Sequence, residues 1–355
     1  MIRAALAPVA FAVALLLAVV GIVVVPIALT LPTPGTAVAT FLFGPAADLR
    51  HLGNVVETAT PLMFTGLAVS LMFRAGMFNL GAEGAFFLGG VAASYAIVAL
   101  PLPPWLPSWL FAPWAVLFGA VCGSIVCLIP GLLRARFGAS ELVSSLMLNY
   151  AALYLGLFVV NYLIRDPTAG AMVSYKFPLA AKLPRIVAGT HIHSGTLIAL
   201  IACALGAVWL FRTRWGYTAR LVGANARFAR HLGLSATLIA AGVQALGGLI
   251  AAAGGAIEVQ GLYMRFTWEG LPGQGWNGLV VAILAGNNPA LVPPAAFALS
   301  WLQIGGDLLA RNYSVPAEVV GLVEALVILL ATAGAIVRNP ALLARLRGRT
   351  AAVAA

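Results

Sequence analysis

Continuous apolar runs about 20 residues long dominate this chain, and few folds tolerate many of them. A helix rises about 1.5 Å per residue, so such a run crosses a hydrocarbon core of about 30 Å. The runs predict spans near 8–30, 55–73, 77–99, 113–131, 141–163, 195–211, 236–257, 276–286, 293–309 and 317–337. A β-barrel is excluded because its strands alternate apolar and polar residues. The first run is too long for a signal peptide and no clear cleavage site follows it. Only 8% of the 355 residues are charged, against about 25% in a soluble domain. Most of the surface must therefore face lipid. The expected fold class is an all-α polytopic integral membrane protein of about ten transmembrane helices.

The net charge is +10. In a soluble protein that would point to nucleic acid; here it marks topology, because cytoplasmic loops collect Arg and Lys. Starting with Arg3 inside and alternating, the inside set is Arg3, Arg74, Arg134, Arg136, Arg212, Arg214, Arg220, Arg227, Arg230, Arg338, Arg345, Arg347 and Arg349. The outside set is Arg50, Arg165, Lys176, Lys182, Arg185, Arg265 and Arg311. Thirteen against seven follows the positive-inside rule. Both termini are expected in the cytoplasm, with 31–54 and 164–194 as outside loops and 212–235 as the large inside segment. No linker divides the chain, so 1–355 reads as one transmembrane domain.

Ten spans split as five plus five, and an odd number per half makes a repeat inverted. The third span opens with GMFNLG (76–81) and the eighth with GQGWNG (273–278). Glycine-interrupted spans in matching positions point to a solute pathway. Broken helices are expected at both, although glycine is abundant enough for the match to arise by chance.

Four carboxylates, Glu57, Glu83, Glu141 and Glu324, lie in or at the edges of spans. Each costs about 2.5–3.5 kcal/mol at the bilayer centre and should face protein or water. Glu57 suits a helix N-terminus. Glu83 is deeper and is a pathway candidate; Glu324 is a gating candidate. Glu141, Ser145, Asn149, Ala152 and Gly156 recur at steps of four and three, which places them on one helical face. Such a stripe serves either tight helix packing or a polar path; Asn149 is the residue expected to line the path. Trp276 and Asn277 cluster at the eighth span, and Asn287-Asn288-Pro289 reads as a turn.

The inside stretch 215–235 predicts a short helix near 225–232, stopped by Gly233. Its small apolar residues suit docking into a cleft of a soluble partner. Cys122, Cys127 and Cys203 fall in apolar runs, and the histidines form no ligand set. No P-loop motif is present, and no catalytic constellation is legible.

These motifs resemble one family. FRAGMFNLGAEGAFFLGG (73–90) is similar to the FRAGLFNIGAEGQ signature of permease subunits in nucleoside and simple-sugar ABC importers. ELVSSLMLNY (141–150) resembles their E-V-I-S-T-x-M-L-N-Y segment, and GWNGLVVAILAGNNP (275–289) their G-x-x-G-I-A-V-A-L-L-G-x-x-N-P. The 215–235 stretch resembles their cytoplasmic coupling segment, with Phe228 standing where a small residue is usual. The length resembles the longer of the two permease types that such systems pair.

The resemblance implies an importer in the bacterial inner membrane, embedded in lipid and binding no nucleic acid. Its partners are a second, different permease, a cytoplasmic ATPase that holds ATP and Mg, and a periplasmic or lipid-anchored solute-binding protein. This chain itself would carry no cofactor. The resemblance places Asn79, Glu83 and Asn149 on the path, to which Glu141, Ser145, Trp276 and Asn277 are added. Gly223, Ala224, Asn225, Phe228 and Gly233 become the ATPase-coupling residues. The competing expectations are a branched-chain amino acid permease and a stand-alone ion-driven transporter.

Overall fold

The computed structural model describes residues 34–100, 107–313 and 325. The expected spans 8–30 and 317–337, and Glu324, lie outside the described residues. Helix α1 (Pro34–Phe43) begins on proline, whose fixed φ and missing N–H suit a first turn. A 3-10 turn, Gly44–Ala46, leads to α2 (Leu49–Arg74). Then come α3 (Ala82–Ala99), α4 (Phe111–Phe137) and α5 (Glu141–Val159), which continues as a π-helical turn over Val160–Ile164. After the 165–193 loop lie α6 (Ser194–Arg212), α7 (Arg214–Ala224), α8 (Ala226–His231) and α9 (Ala236–Leu262). The last two are α10 (Gln274–Leu284) and α11 (Val292–Tyr313). The only β pairings among the described residues are two isolated bridges, Arg165–Ser174 and Arg185–His193.

Six of the described helices are long and apolar enough to cross a membrane, or seven if the bent pair α10 and α11 counts as one span. The chain is therefore a multi-pass helical membrane protein. The 31–54 stretch, read as an outside loop, contains all of α1 and the first turns of α2.

The chain divides into two compact units, one of residues 1–55 with 298–355 and one of 56–297. In the first, Ala37 and Phe41 of α1 pack with Leu309 of α11. The Trp301 indole N–H donates to the Leu42 carbonyl at 3.0 Å.

The second unit is built around α3, α4 and α9. Lipid supplies no hydrophobic drive between helices, so close backbone approach through small residues does the packing. Gly255 of α9 lies against the Phe86 carbonyl of α3, where any Cβ would collide with backbone. Gly123 of α4 wedges between Ala252 and Ala85. On α5 the predicted face turns inward: Glu141, Ser145, Asn149, Ala152 and Gly156 are its buried residues. Its Leu142, Val143, Met147, Tyr150 and Tyr154 are exposed, as lipid-facing side chains should be. Helices α2 and α6 are joined by the Thr60–Thr196 hydroxyl pair at 2.8 Å.

The 165–193 loop is pinned by backbone hydrogen bonds, Ser174 and Phe177 donating to Phe266 and Met264 and Leu183 to Gln260. Beneath it lies an aromatic cluster of Phe87, Phe111, Phe177 and Phe266. His193 ends the loop, fully buried, and its Nδ1 accepts the Gly195 N–H at 3.1 Å. Burial, helped by nearby Arg185, holds its pKa down at about 4 against an ordinary 6.5. The unfolded chain therefore binds the extra proton between those values, and stability rises with pH across that window. Acidifying from pH 7 to pH 5 should cost about 2 kcal/mol. Thermal melts of His193→Gln should lose most of this pH dependence; an unchanged dependence would exclude His193 as its source.

Candidate functional site

Helix α2 ends in a Schellman motif. Gly76 takes a left-handed φ of 72°, its N–H reaches the Phe73 carbonyl at 3.0 Å, and the Met77 N–H reaches Met72 at 3.0 Å. Residues 78–81 are then non-helical, so several amides lack helical partners inside an apolar protein. The polar face of α5 supplies acceptors for them. The Glu141 carboxylate accepts the Phe78 N–H at 3.2 Å, the Ser145 hydroxyl accepts Leu80 N–H at 3.1 Å, and the Asn149 carbonyl accepts Gly84 N–H at 2.9 Å. The Asn149 amide also donates to the Leu80 carbonyl at 3.0 Å. Their four-residue spacing on the helix thus matches an irregular strand of backbone lying alongside.

Asn79 holds the break from its other side. Its Nδ2 donates to the Cys127 carbonyl at 2.9 Å and to Gln244 Oε1 at 2.6 Å, and its Oδ1 accepts the Gly81 N–H at 2.7 Å. Gln244 donates onward to Glu141 at 2.8 Å, and Arg134 pairs with that carboxylate at 2.7 Å. Every member of the network has a partner, which a buried polar group requires.

The second break is at the start of α10. The Glu83 carboxylate, 1% exposed, accepts the N–H groups of Gly273 at 2.6 Å, Gly275 at 2.5 Å and Trp276 at 3.3 Å. Glu83 also stands in the first turn of α3. One carboxylate thus serves the positive poles of two helices. Gly275 packs on the Glu83 backbone and Gly278 on Thr65, in the middle third of α2. Helix α10 is 11 residues long, about 16 Å, half of a hydrocarbon core. It begins beside the middle third of α2 and runs to the end of α2, where Arg74 donates to the Asn287 carbonyl at 2.7 Å and to Gly286 at 3.1 Å. From the same meeting point α3 runs the other way, toward Trp268 and the far end of α9.

The 76–81 turn also meets α7. A Cβ on Gly76 would lie 3.0 Å from the Gly223 Cα, and Gly223 itself presses on the Arg74 carbonyl and Ala75. The side chain of Asn225 accepts the N–H groups of Arg227 and Phe228 at 3.1 and 3.0 Å, capping α8. Gly233, at φ 80°, lies just past the end of α8. Phe228 is 51% exposed, while Ala229 packs with Val222 and Ala236. Ala224 and Gly233 are exposed. A cavity of about 180 Å³ lined by Met77, Arg134, Glu141, Val222 and Arg230 lies between this segment and the first break.

The structure thus brings Asn79, Glu83, Glu141, Ser145 and Asn149 together, with their polar atoms bonded to the chain itself. Trp276, 46% exposed, and half-buried Asn277 sit on the accessible side of α10.

The family described as branched-chain amino acid transport system / permease component matches residues 51–332. The chain belongs to that permease family. The glucose ABC transporter permease protein TsgB13 of Haloferax volcanii is 34% identical over 78% of this chain and 75% of its own length. The guanosine ABC transporter permease protein NupP of Bacillus subtilis is 29% identical over 82% and 83%. The nucleoside ABC transporter permease protein NupB of Lactococcus lactis is 30% identical over 79% and 78%. The protein is a membrane-spanning ABC importer permease, a transport component.

Two residues of the permease escaped the sequence reading. Gln244 joins Asn79 to Glu141; it is the only amide of the apolar run 236–257, and that was its signal. Glu258 lay just past the predicted end of its span at 257, whereas α9 continues to Leu262. It is buried, and Oε2 of its side chain has no partner.

Proposed function

We propose that this permease forms, with a second and different permease, the path of an ATP-driven importer for a nucleoside or related sugar-bearing solute. A cytoplasmic ATPase holding ATP and Mg docks on 212–235, with Phe228, Ala224 and Gly233 at the contact and Asn225 fixing the fold of α8. A periplasmic or lipid-anchored binding protein delivers solute. The assembly sits in the bacterial inner membrane and this chain needs no cofactor of its own. Ten spans, an inverted five-plus-five repeat and cytoplasmic termini complete the reading. The two half-spans that leave one point in opposite directions support such a repeat.

The observation that carries the mechanism is the backbone contact between Gly223 and the 74–76 turn. A tilt of α7 and α8 on ATPase closure bears directly on the first break, with no flexible side chain between. The break is tied through Glu141, Gln244 and Asn79 to α4, α5 and α9, so these helices shift as a set between two arrangements. In this reading Asn79, Glu83, Glu141, Ser145 and Asn149 shape the path by holding its broken backbone. Trp276 and Asn277 face the solute.

The relatives named above are a glucose, a guanosine and a nucleoside permease. Those solutes share a hydroxylated sugar ring, which supports the sugar-bearing class over amino acids. The test is uptake of radiolabelled guanosine, glucose and leucine into proteoliposomes holding the whole complex with its binding protein. Guanosine or glucose uptake that needs ATP is expected. Leucine uptake alone would return the chain to branched-chain amino acid transport. Uptake by this chain without ATPase, abolished by an ionophore, would make it a secondary transporter.

A further inference from the structure

Away from both breaks, a groove runs between α6 and α9 with α2 as its floor. Gly206 of α6 packs on Leu67 of α2, and Gly247 of α9 packs on Met72. The shallow part is a cavity of about 610 Å³ lined by Trp209, Trp215, Ser235, Leu238, Ile239 and Gly242. The deep part, about 280 Å³, is lined by Leu71, Leu205, Trp209, Leu246 and Ile250, so Trp209 borders both. From Ser235 to Ile250 is about 22 Å of helix, the depth of one leaflet with its headgroups. Apart from Ser235 and the indole N–H groups, the walls are apolar. At Gly242 the wall is open, since a Cβ there would meet nothing within 4 Å. The mouth is basic. Arg212 stands one turn beyond Trp209 on α6, and Arg214 precedes Trp215 at the start of α7. Both are exposed, and neither joins an ion pair among the described residues. No Asp or Glu occurs in 194–257, where five arginines stand.

We propose that this groove holds one anionic phospholipid from the leaflet on the 212–235 side, with its phosphate at Arg212 and Arg214 and an acyl chain laid past Trp209 toward Ile250. The walls leave the hydroxyls of a polar solute without partners. A helix of a partner protein is too wide for the deep part, because one turn, about 10 Å across, fills about 420 Å³. An acyl chain is narrow and apolar. Unpaired arginines attract a lipid phosphate, and indoles favour the level where headgroup meets chain. The lipid fills the gap between α6 and α9 and touches α7 through Trp215. It thereby braces α7, the helix whose Gly223 presses on the first break, and transport depends on anionic lipid.

The experiment offers the complete complex phosphatidylglycerol and phosphatidylcholine in equal amounts, washes it in detergent and counts the lipid retained by mass spectrometry. Wild type should keep phosphatidylglycerol in preference, a single molecule per copy of this chain. Gly242→Phe fills the groove, and retention should fall at least about tenfold as the chain loses its berth. Its melting temperature should hold or rise, because a glycine inside a helix has been replaced. Arg212→Gln with Arg214→Gln should lower retention about tenfold or more through the headgroup alone. In phosphatidylcholine proteoliposomes, added phosphatidylglycerol should raise wild-type uptake several-fold and leave Gly242→Phe unmoved. Equal retention of the two lipids by wild type overturns the proposal, and so does unchanged retention in Gly242→Phe. A Gly242→Phe complex that sheds its ATPase or second permease, where wild type holds no lipid, makes the groove a protein seat and overturns it too. If Gly242→Phe does not assemble, the arginine variant decides, and unchanged retention there overturns the proposal. The retention assay needs no solute, so a failed sugar-bearing reading leaves it standing.

Discussion

Glu83→Ala is expected to lower stability by about 3–5 kcal/mol and to abolish uptake. The alanine leaves the amides of Gly273, Gly275 and Trp276 without the buried carboxylate that accepts them. Hydrogen bonds to a charged group contribute about 1.5–3 kcal/mol each, though three on one carboxylate do not simply add. The positive poles of α3 and α10 lose their shared counter-charge as well. Glu83→Gln keeps two lone pairs on one oxygen and should recover part of the loss. A melt of the purified complex checks this. An alanine variant that melts with the wild type while failing in uptake would move Glu83 from the scaffold to direct solute contact.

Gly223→Val should separate hydrolysis from transport. Its side chain would occupy the space now taken by the Arg74 carbonyl and Ala75. Overpacking of this kind costs about 1–3 kcal/mol, which the fold survives by pushing α7 off the turn. The ATPase should still co-purify and hydrolyse ATP, since Phe228 is exposed and takes no part in this contact. Uptake should fall at least about tenfold, because about 1.4 kcal/mol of lost coupling is a factor of ten. Paired uptake and ATPase assays decide it. Normal uptake per ATP hydrolysed in the variant would remove the Gly76–Gly223 contact from the transmission route.

Much of the second unit was legible because helices report themselves locally. The face of Glu141, Ser145 and Asn149 follows from spacing alone, and the glycines with Asn79 in 76–81 announced a break. The short helix Ala226–His231 and its stop at Gly233 were readable for the same reason. The partners of these side chains were not readable. Most are backbone amides and carbonyls, which every residue carries, so nothing in the sequence of 273–276 marks it as the ligand of Glu83. Helix α1 was missed because Pro32, Pro34 and Gly35 read as loop, whereas proline at a first helical position favours the start. Glu258 was missed through a boundary error of five residues, from 257 to Leu262. In a chain this apolar, an error of that size hides a charge.

The cap that joins the two breaks has a consequence for how the protein is made. Glu83 and the amide of Gly275 are 192 residues apart. As the chain leaves the ribosome, α3 is inserted long before α10 exists. Through that interval the carboxylate must stay near the aqueous side of the insertion machinery, or be neutralised by a proton, since bare hydrocarbon would reject it. Only the arrival of the 273–276 turn lets α3 settle to its final depth. Truncated chains ending before α10 should therefore be held as unfinished clients by membrane quality control. A completed permease is one whose early and late halves have closed on a single side chain.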